Sequence, residues 1–267
     1  MCWMQKALQT AHIGISIFDP AANKYLYNYQ GDKYFVPASN IKIPTCYAAM
    51  KYLGDSLVGL RYAGNFEKQM VIVPTGDPTF LHPDFTTQNV YTFLKKVTGD
   101  ILFDESDIGV QALGDGWSWN DYNQYYMAER SVMPMYGNVV RISGNLKNLK
   151  VQPEFFKYKI STDPLKGLTP NIDSFYPISA SRMKQENSFL VRGSESKKGN
   201  VIEIPFHTWE LGILFRLLKD TLGFDKITFS TFNLRYQPSV KKIHSQPTDS
   251  LLKPMMHRSD NFFVTSL

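Results

Sequence analysis

The sequence is organised around one stretch, Phe35-Val36-Pro37-Ala38-Ser39-Asn40-Ile41-Lys42-Ile43-Pro44-Thr45. It places a serine and a lysine three residues apart at the start of an apolar segment. If Ser39 opens a helix, Lys42 lies one turn further along the same face, and its ammonium group can meet the serine hydroxyl. A nucleophilic serine needs this geometry when a lysine, instead of a histidine, takes its proton.

The Ser-x-x-Lys spacing recurs along the chain, so the surrounding residues have to distinguish the copies. It begins at Ser39, Ser181, Ser194, Ser239 and Ser250. Only the first copy is followed by apolar residues at helical spacing, which are Ile43, Cys46, Tyr47, Met50 and Leu53. Pro44 is unusual inside such a helix because it has no backbone N–H. We predict a buried helix that ends at Gly54, and a plain N-cap is the alternative role of Ser39.

The composition is that of a globular protein. The 267 residues are 43% hydrophobic and 14% aromatic, which is enough to bury a core. The net charge of +5 is dispersed and forms no basic stripe interleaved with aromatics, which argues against nucleic-acid binding. Two cysteines cannot make a disulfide framework, and we expect Cys46 to be a small core residue. We also expect a soluble chain with no signal peptide and no membrane span.

The order of predicted elements begins with a hairpin and continues as a β-rich region. Residues 13–19 and 24–30 form the hairpin around a turn at residues 20–23. One amphipathic helix, residues 211–222, interrupts the later strands and ends at Gly223, and a short helix at 250–257 leads to an apparently helical end. Short strands are predicted at residues 69–74, 100–103, 139–143, 149–152, 189–192, 201–204 and 227–229.

A second motif, Ser259-Asp260-Asn261, completes a constellation with the first. Ser-x-Asn also begins at Ser118 and Ser143, so the triplet alone is weak. The full order is more specific, and it consists of residues 37–42, 75–79, 116–121, 245–249 and 255–263. On these motifs, residues 13–263 resemble the low-molecular-mass class C penicillin-binding proteins, which are D-alanyl-D-alanine carboxypeptidases/endopeptidases of the peptidase S13 type.

The resemblance implies a fold and a domain organisation. The expected fold is α+β and β-lactamase/transpeptidase-like, an antiparallel sheet with flanking helices, and it carries a large β-rich insertion. The transpeptidase-like domain would consist of residues 1–62 and 244–267, and the inserted β-rich part would be residues 63–243.

The resemblance also implies the residues of the site. Ser39 would attack the penultimate D-Ala carbonyl of a peptidoglycan stem peptide, and Lys42 would act as the general base. Ser259 would relay a proton to the leaving amine, Asn261 would bind the substrate amide, and the Ser39 backbone N–H would form half of an oxyanion hole. β-Lactams would be covalent inhibitors, and no cofactor or metal is expected. The family's full-length members are expected in the periplasm or outside the cell.

The family's third motif is missing from this sequence. No Lys-Thr-Gly or Lys-Ser-Gly occurs, because Lys96-Val97-Thr98-Gly99 has one residue too many. We therefore expect a C-terminally truncated chain that lacks the last strands of the sheet and is impaired as an enzyme. The alternatives are a non-catalytic module, or a serine β-lactamase, for which no candidate deacylating glutamate is evident.

Three further groups of residues are assigned structural roles. Tyr136 and Asn138 resemble the Tyr-x-Asn of class C β-lactamases, but Ser259 and Asn261 already fill that place. Asp104, Glu105 and Asp107 are expected to be solvated turn carboxylates, since no loop pattern for a metal surrounds them. The five histidines are scattered without a zinc-binding spacing, at His12, His82, His207, His244 and His257.

Overall fold

The structure is a computed structural model that describes residues 10–104, 110–164, 178–193, 195, 199–208, 211–223, 227–230 and 240–266. The chain divides into two compact units, Met1–Ile41 and Lys42–Leu267. The predicted domain boundaries after residues 62 and 243 stay predictions.

The first unit contains the predicted hairpin. Strands β1 (Ile15–Asp19) and β2 (Lys24–Tyr29) pair antiparallel. The Asp19 carboxylate accepts hydrogen bonds from the N–H groups of Ala21 and Ala22, at 2.9 and 3.1 Å, which closes the turn. A 3-10 helix, Ala38–Ile41, ends the unit. The hairpin prediction is confirmed.

The second unit contains eleven strands and five α-helices among the described residues. The strands are β3 (Ser56–Gly64), β4 (Gln69–Pro74), β5 (Asp100–Asp104), β6 (Val139–Asn145), β7 (Asn148–Gln152), β8 (Ile160–Pro164), β9 (Ile178–Arg182), β10 (Phe189–Gly193), β11 (Gly199–Pro205), β12 (Ile227–Ser230) and β13 (Lys241–Pro247). The helices are α1 (Lys42–Tyr52), α2 (Asn89–Leu94), α3 (Leu211–Leu222), α4 (Thr248–His257) and α5 (Asn261–Thr265).

These strands form three sheets. The largest has the order β12-β5-β4-β3-β13, with β3 antiparallel to both neighbours and β5 parallel to both of its own. The smaller sheets have the orders β8-β10-β9 and β11-β6-β7. All seven strands predicted for residues 69–229 are confirmed. Strands β3, β8, β9 and β13 were not predicted. In β13 the polar residues lie at the edge of the sheet, where alternation of apolar residues is not required.

Two hydrophobic cores hold the second unit together. The larger includes residues of all three sheets and of α2 and α3, among them Leu60, Leu94 and Phe103. The prediction for α3 is confirmed: Leu214, Leu218 and Leu222 are buried, and the N–H of Gly223 donates to Lys219 O at 2.8 Å. The smaller core joins α1, α4 and α5, through Ala49, Leu251, Leu252, Met255, Phe262 and Phe263.

The apolar stripe of α1 is not buried as predicted. Ile43, Tyr47 and Met50 are 61%, 67% and 64% exposed, and the buried residues of the helix are Lys42 and Ala49. Helical periodicity identifies an apolar face but not what covers it. The α-helix begins at Lys42, so Pro44 lies in its first turn, where a backbone N–H has no helical partner to lose.

Candidate active site

The second motif lies where two short helices meet, and the residues between them, 258–260, are called the link. α4 ends at His257 and α5 begins at Asn261, and both pack in the smaller core. The start of α4 is fixed near the end of α1: the N–H of Thr248 donates to Asp55 O at 3.0 Å and its hydroxyl donates to Gly54 O at 2.6 Å. The core and these bonds hold the link at one place beside α1.

The backbone of the link stops one helix and starts the next. The Asp260 N–H donates to Met255 O at 3.1 Å, which closes the end of α4, and Ser259 has a left-handed φ of 57°. The Asp260 carboxylate caps α5 by accepting hydrogen bonds from the N–H groups of Phe262 and Phe263, at 3.0 and 3.3 Å. Glycine is the usual residue at the left-handed position after a helix. A serine there costs about 1–2 kcal/mol, and such strain tends to be retained at functional sites.

Lys42 and Asn261 meet although 219 positions separate them in the sequence. The Lys42 Nζ donates to Asn261 Oδ1 at 2.6 Å. Lys42 is 4% exposed, and this burial lowers the pKa of its amine, whereas the Asp260 carboxylate raises that pKa to a smaller extent. A buried lysine whose pKa is lowered is the kind of group that can accept a proton from a hydroxyl near neutral pH.

Ser259 and Asn261 border a cavity of about 230 Å³ within the second unit. Its other walls include Tyr125, Tyr126 and Glu203. The motif residues therefore face a space with both aromatic and charged sides.

Ser39 belongs to the first unit. It is exposed in the 3-10 helix Ala38–Ile41, directly after Ala38, whose φ of 45° is left-handed. The chain connects it to Lys42 through two residues. In the structure Lys42 contacts Asn261, and Ser259 lies two positions before Asn261 in the sequence. The contact of Ser39 with Lys42 stays a prediction.

Comparison with known proteins identifies the chain as a whole. The profile of the D-Ala-D-Ala carboxypeptidase 3 (S13) family matches residues 2–267. The chain belongs to the S13 family. The predicted resemblance is thereby confirmed.

Two S13 relatives are similar in sequence. D-alanyl-D-alanine carboxypeptidase DacB of Haemophilus influenzae is 24% identical over an alignment of 300 positions, which covers 98% of this chain and 59% of the relative. The D-alanyl-D-alanine carboxypeptidase of Actinomadura sp. strain R39 is 28% identical over 138 residues, covering 48% of this chain and 26% of the relative. The chain thus spans about three fifths of the length of DacB.

Solved structures bear out the fold. The crystal structure of penicillin binding protein 4 (dacB) from Haemophilus influenzae has a TM-score of 0.64 at 19% identity and covers 95% of this chain and 60% of that one. The same protein complexed with a β-lactam gives a TM-score of 0.58 at 18% identity, covering 94% and 59%. The α+β, penicillin-binding-protein-like fold predicted from the motifs is confirmed. In the part of the S13 chain that the structure describes, no helix has the length and apolar character that crossing a membrane requires.

Three residues next to the S13 motif could not be assigned from the sequence. They are His82 and Asp84, from the loop after β4, and Arg258, which precedes Ser259. Arg258 forms an ion pair with Asp84 and lies 3.6 Å from the Asp260 carboxylate. Burial lowers the pKa of His82 to about 4; Asp84 opposes this effect, and Arg258 adds to it. No sequence motif predicts these contacts. The sequence does contain a helix-cap signal, because Asp260 lies two positions before the apolar pair Phe262 and Phe263.

The motif at residues 75–79 has a structural role in the described part of the molecule. Gly76 has a φ of 74°, and the Asp77 carboxylate accepts hydrogen bonds from the N–H and the hydroxyl of Thr79, both at 3.0 Å. Burial raises the pKa of Asp77, and the bonds from Thr79 oppose that shift. The motif thereby shapes the loop that leads to His82.

Tyr136 and Asn138 also have structural contacts. The Tyr136 hydroxyl and Thr221 Oγ1 are 2.9 Å apart. The Asn138 amide donates to Glu129 O at 2.7 Å and accepts from the Met135 N–H at 3.0 Å. These hydrogen-bond partners of both residues thus lie within the second unit and do not include Ser259 or Asn261.

The acidic group at residues 104–107 is only partly described. Asp104 is 2% exposed at the end of β5, so its predicted role as a solvated carboxylate is wrong. Glu105 and Asp107 lie outside the described residues. Within the described ranges, no three His, Cys, Asp or Glu side chains converge as a metal site would need.

Proposed function

We propose that this chain carries the acyl-transfer centre of a serine-type D-alanyl-D-alanine carboxypeptidase/endopeptidase that acts on peptidoglycan stem peptides and is acylated by β-lactams. The observation that carries the proposal is the hydrogen bond between Lys42 Nζ and Asn261 Oδ1, at 2.6 Å. It joins the two motifs from opposite ends of a chain whose family and named relatives are carboxypeptidases.

The proposed reaction begins with Ser39. Its Oγ attacks the carbonyl carbon of the penultimate D-Ala, and Lys42 Nζ takes the hydroxyl proton. The lowered pKa of Lys42 supports this role, because a fully protonated amine could not accept the proton. The Ser39 N–H stabilises the oxyanion of the tetrahedral intermediate.

Collapse of the intermediate releases the terminal D-Ala and leaves an ester on Ser39. The proton held by Lys42 passes through the Ser259 hydroxyl to the leaving amine, and Asn261 binds the substrate amide. Water then hydrolyses the ester and restores the Ser39 hydroxyl. Two observations support the role of Ser259: its backbone has a left-handed φ, and the residue lines the cavity of about 230 Å³.

Acylation by these 267 residues alone is expected to be slow. The sequence holds no Lys-Thr-Gly or Lys-Ser-Gly, and loss of one oxyanion-hole donor costs about 10²–10³ in rate. This feature favours the second candidate, a penicillin-binding-protein-like module without catalysis. A serine β-lactamase is the third, and it would differ by rapid hydrolysis of the acyl-enzyme.

Labelling with a fluorescent penicillin tests the proposal. We expect slow covalent labelling that persists during a chase with unlabelled drug, and no labelling of Ser39→Ala. Ser181→Ala is the matched control, because Ser181 begins another Ser-x-x-Lys copy. No label on a folded chain would favour the non-catalytic module, rapid loss of label would favour the β-lactamase, and labelling of Ser39→Ala would exclude Ser39 as the nucleophile.

A further inference from the structure

Ser259 has a backbone conformation that its neighbours must hold in place. A φ of 57° is unfavourable for any residue with a Cβ. On its C-terminal side, Asp260 is fixed by capping α5. The residue on its N-terminal side, Arg258, needs an equivalent anchor if the hydroxyl of Ser259 is to stay in one place.

The guanidinium of Arg258 supplies this anchor through two carboxylates. It pairs with Asp84, which is 174 positions away in the sequence, and lies 3.6 Å from the carboxylate of Asp260. The Arg258 N–H donates to Pro254 O at 3.0 Å. The side chain of Arg258 therefore connects both flanks of Ser259 with a distant loop.

The loop that carries Asp84 is itself packed against α5. The Asp84 N–H donates to His82 Nδ1 at 3.3 Å, and the Phe85 N–H donates to His82 O at 3.1 Å. The rings of His82 and Phe85 lie 5.0 and 5.9 Å from the ring of Phe263. A displacement of this loop would therefore also displace α5, the helix that begins with Asn261.

We propose that Asp84 is a positioning residue, which acts through Arg258 to hold Ser259 and the start of α5 in the geometry that acylation needs. This proposal rests on the proposed function. A plain surface ion pair is the competing explanation, since the side chains of Arg258 and Asp84 are 50% and 30% exposed and such pairs contribute little to global stability. The two explanations differ in whether the loss of the pair has a local effect on the link and a large effect on the reaction.

The test compares Asp84→Asn with Asp163→Asn in the full chain. Asp163 pairs with Arg192 at 3.0 Å in the sheet formed by β8, β10 and β9, and Arg192 is 49% exposed, close to the 50% of Arg258. The readouts are the rate of acylation by fluorescent penicillin, the urea midpoint, and hydrogen exchange of the amides of Asp260, Phe262 and Phe263. For Asp84→Asn we expect acylation to fall about tenfold or more, because small misplacements of reacting groups are costly. We also expect exchange at the three amides to rise about three- to fivefold.

The proposal is supported if Asp84→Asn shows slower acylation and faster exchange at the three amides while its urea midpoint is nearly unchanged. Asp84→Glu should recover part of the acylation rate, and Asp163→Asn should change none of the readouts. Unchanged exchange at the three amides overturns the proposal, as does exchange that rises throughout the second unit. The proposal is also overturned if Asp84→Asn exchanges faster at the three amides but is acylated at an unchanged rate. If the unsubstituted chain is never labelled, the proposed function fails, and the exchange measurement still decides whether Asp84 holds the link.

Discussion

His82 predicts an acid sensitivity that originates beneath the proposed site. The ring is 7% exposed and lies between Phe85, Phe262 and Phe263. At Gly137, a Cβ would come within 3.1 Å of the imidazole, so the ring is closely packed on that side too. Protonation would place a charge in this apolar setting, and burial accordingly lowers the pKa of His82 from 6.5 to about 4.

The sign of the effect follows from the two pKa values of His82. The folded state holds its proton less tightly, so between about pH 4 and pH 6.5 the unfolded chain binds more protons. The contribution of His82 to the free energy of unfolding is therefore nearly constant well above pH 6.5 and falls as the pH decreases through that window. The full shift of about 2.5 pKa units corresponds to about 3.4 kcal/mol, and the part lost between about pH 7.5 and pH 5 is about 2 kcal/mol.

Urea unfolding, followed by tryptophan fluorescence at both pH values, measures this loss. His82→Gln removes the titrating group and should lose about 2 kcal/mol less than the unsubstituted chain on acidification. His257→Gln, at an exposed histidine, is the matched control and should behave as the unsubstituted chain does. Buried carboxylates such as Asp77 and Asp260, whose pKa burial raises, are present in all three chains, so their effect cancels in the comparison. If His82→Gln shows the same pH dependence as the unsubstituted chain, the burial of a neutral His82 is not the cause.

Three further predictions concern Ser259, Asp260 and the ion pair of Glu129 with Arg182. Ser259→Gly and Ser259→Ala both remove the hydroxyl and should both lose acylation, but in urea the glycine variant should be more stable by about 1 kcal/mol, because only glycine adopts the left-handed φ without cost. Asp260→Asn keeps the cap of α5 but removes the charge that raises the pKa of Lys42; since acylation needs neutral Lys42, the rise of the acylation rate with pH should move to lower pH. Glu129 forms a buried ion pair with Arg182, so Glu129→Ala should lower the free energy of unfolding by about 3–5 kcal/mol in urea titrations, and adding Arg182→Met should recover part of the loss.

The sequence was sufficient where local chemistry decides the structure. The turn after Asp19 and the end of α3 at Gly223 follow from side-chain hydrogen bonding and from the freedom of glycine, and both were predicted. The exposure of Tyr47 on α1 was not, because a periodic pattern cannot tell which neighbours cover a face. The burial of Lys42 could not be predicted either, since it depends on α4 and α5, which follow about two hundred residues later in the sequence.

The candidate site likewise contains residues that the sequence predicts and residues that only the structure reveals. Lys42 and Asn261 were chosen from motifs, and their hydrogen bond joins residues that the sequence keeps far apart. Asp84 and His82 could not be chosen, because an Asp and a His two residues apart occur in many loops. Their significance comes from Arg258 and Phe263, which only the folded chain brings to them.

The backbone geometry gives Ser259, Asp260 and Asn261 three different local roles at consecutive positions. Ser259 occupies the left-handed position that ends α4, Asp260 caps α5, and Asn261 is the first residue of that helix. The end of α4 is followed directly by the start of α5, which leaves one residue between Ser259 and Asn261 and accounts for the Ser-x-Asn spacing. The middle residue then cannot be arbitrary: a side chain without a capping oxygen would cost about 1 kcal/mol at the start of α5 and would loosen the amide that Lys42 contacts.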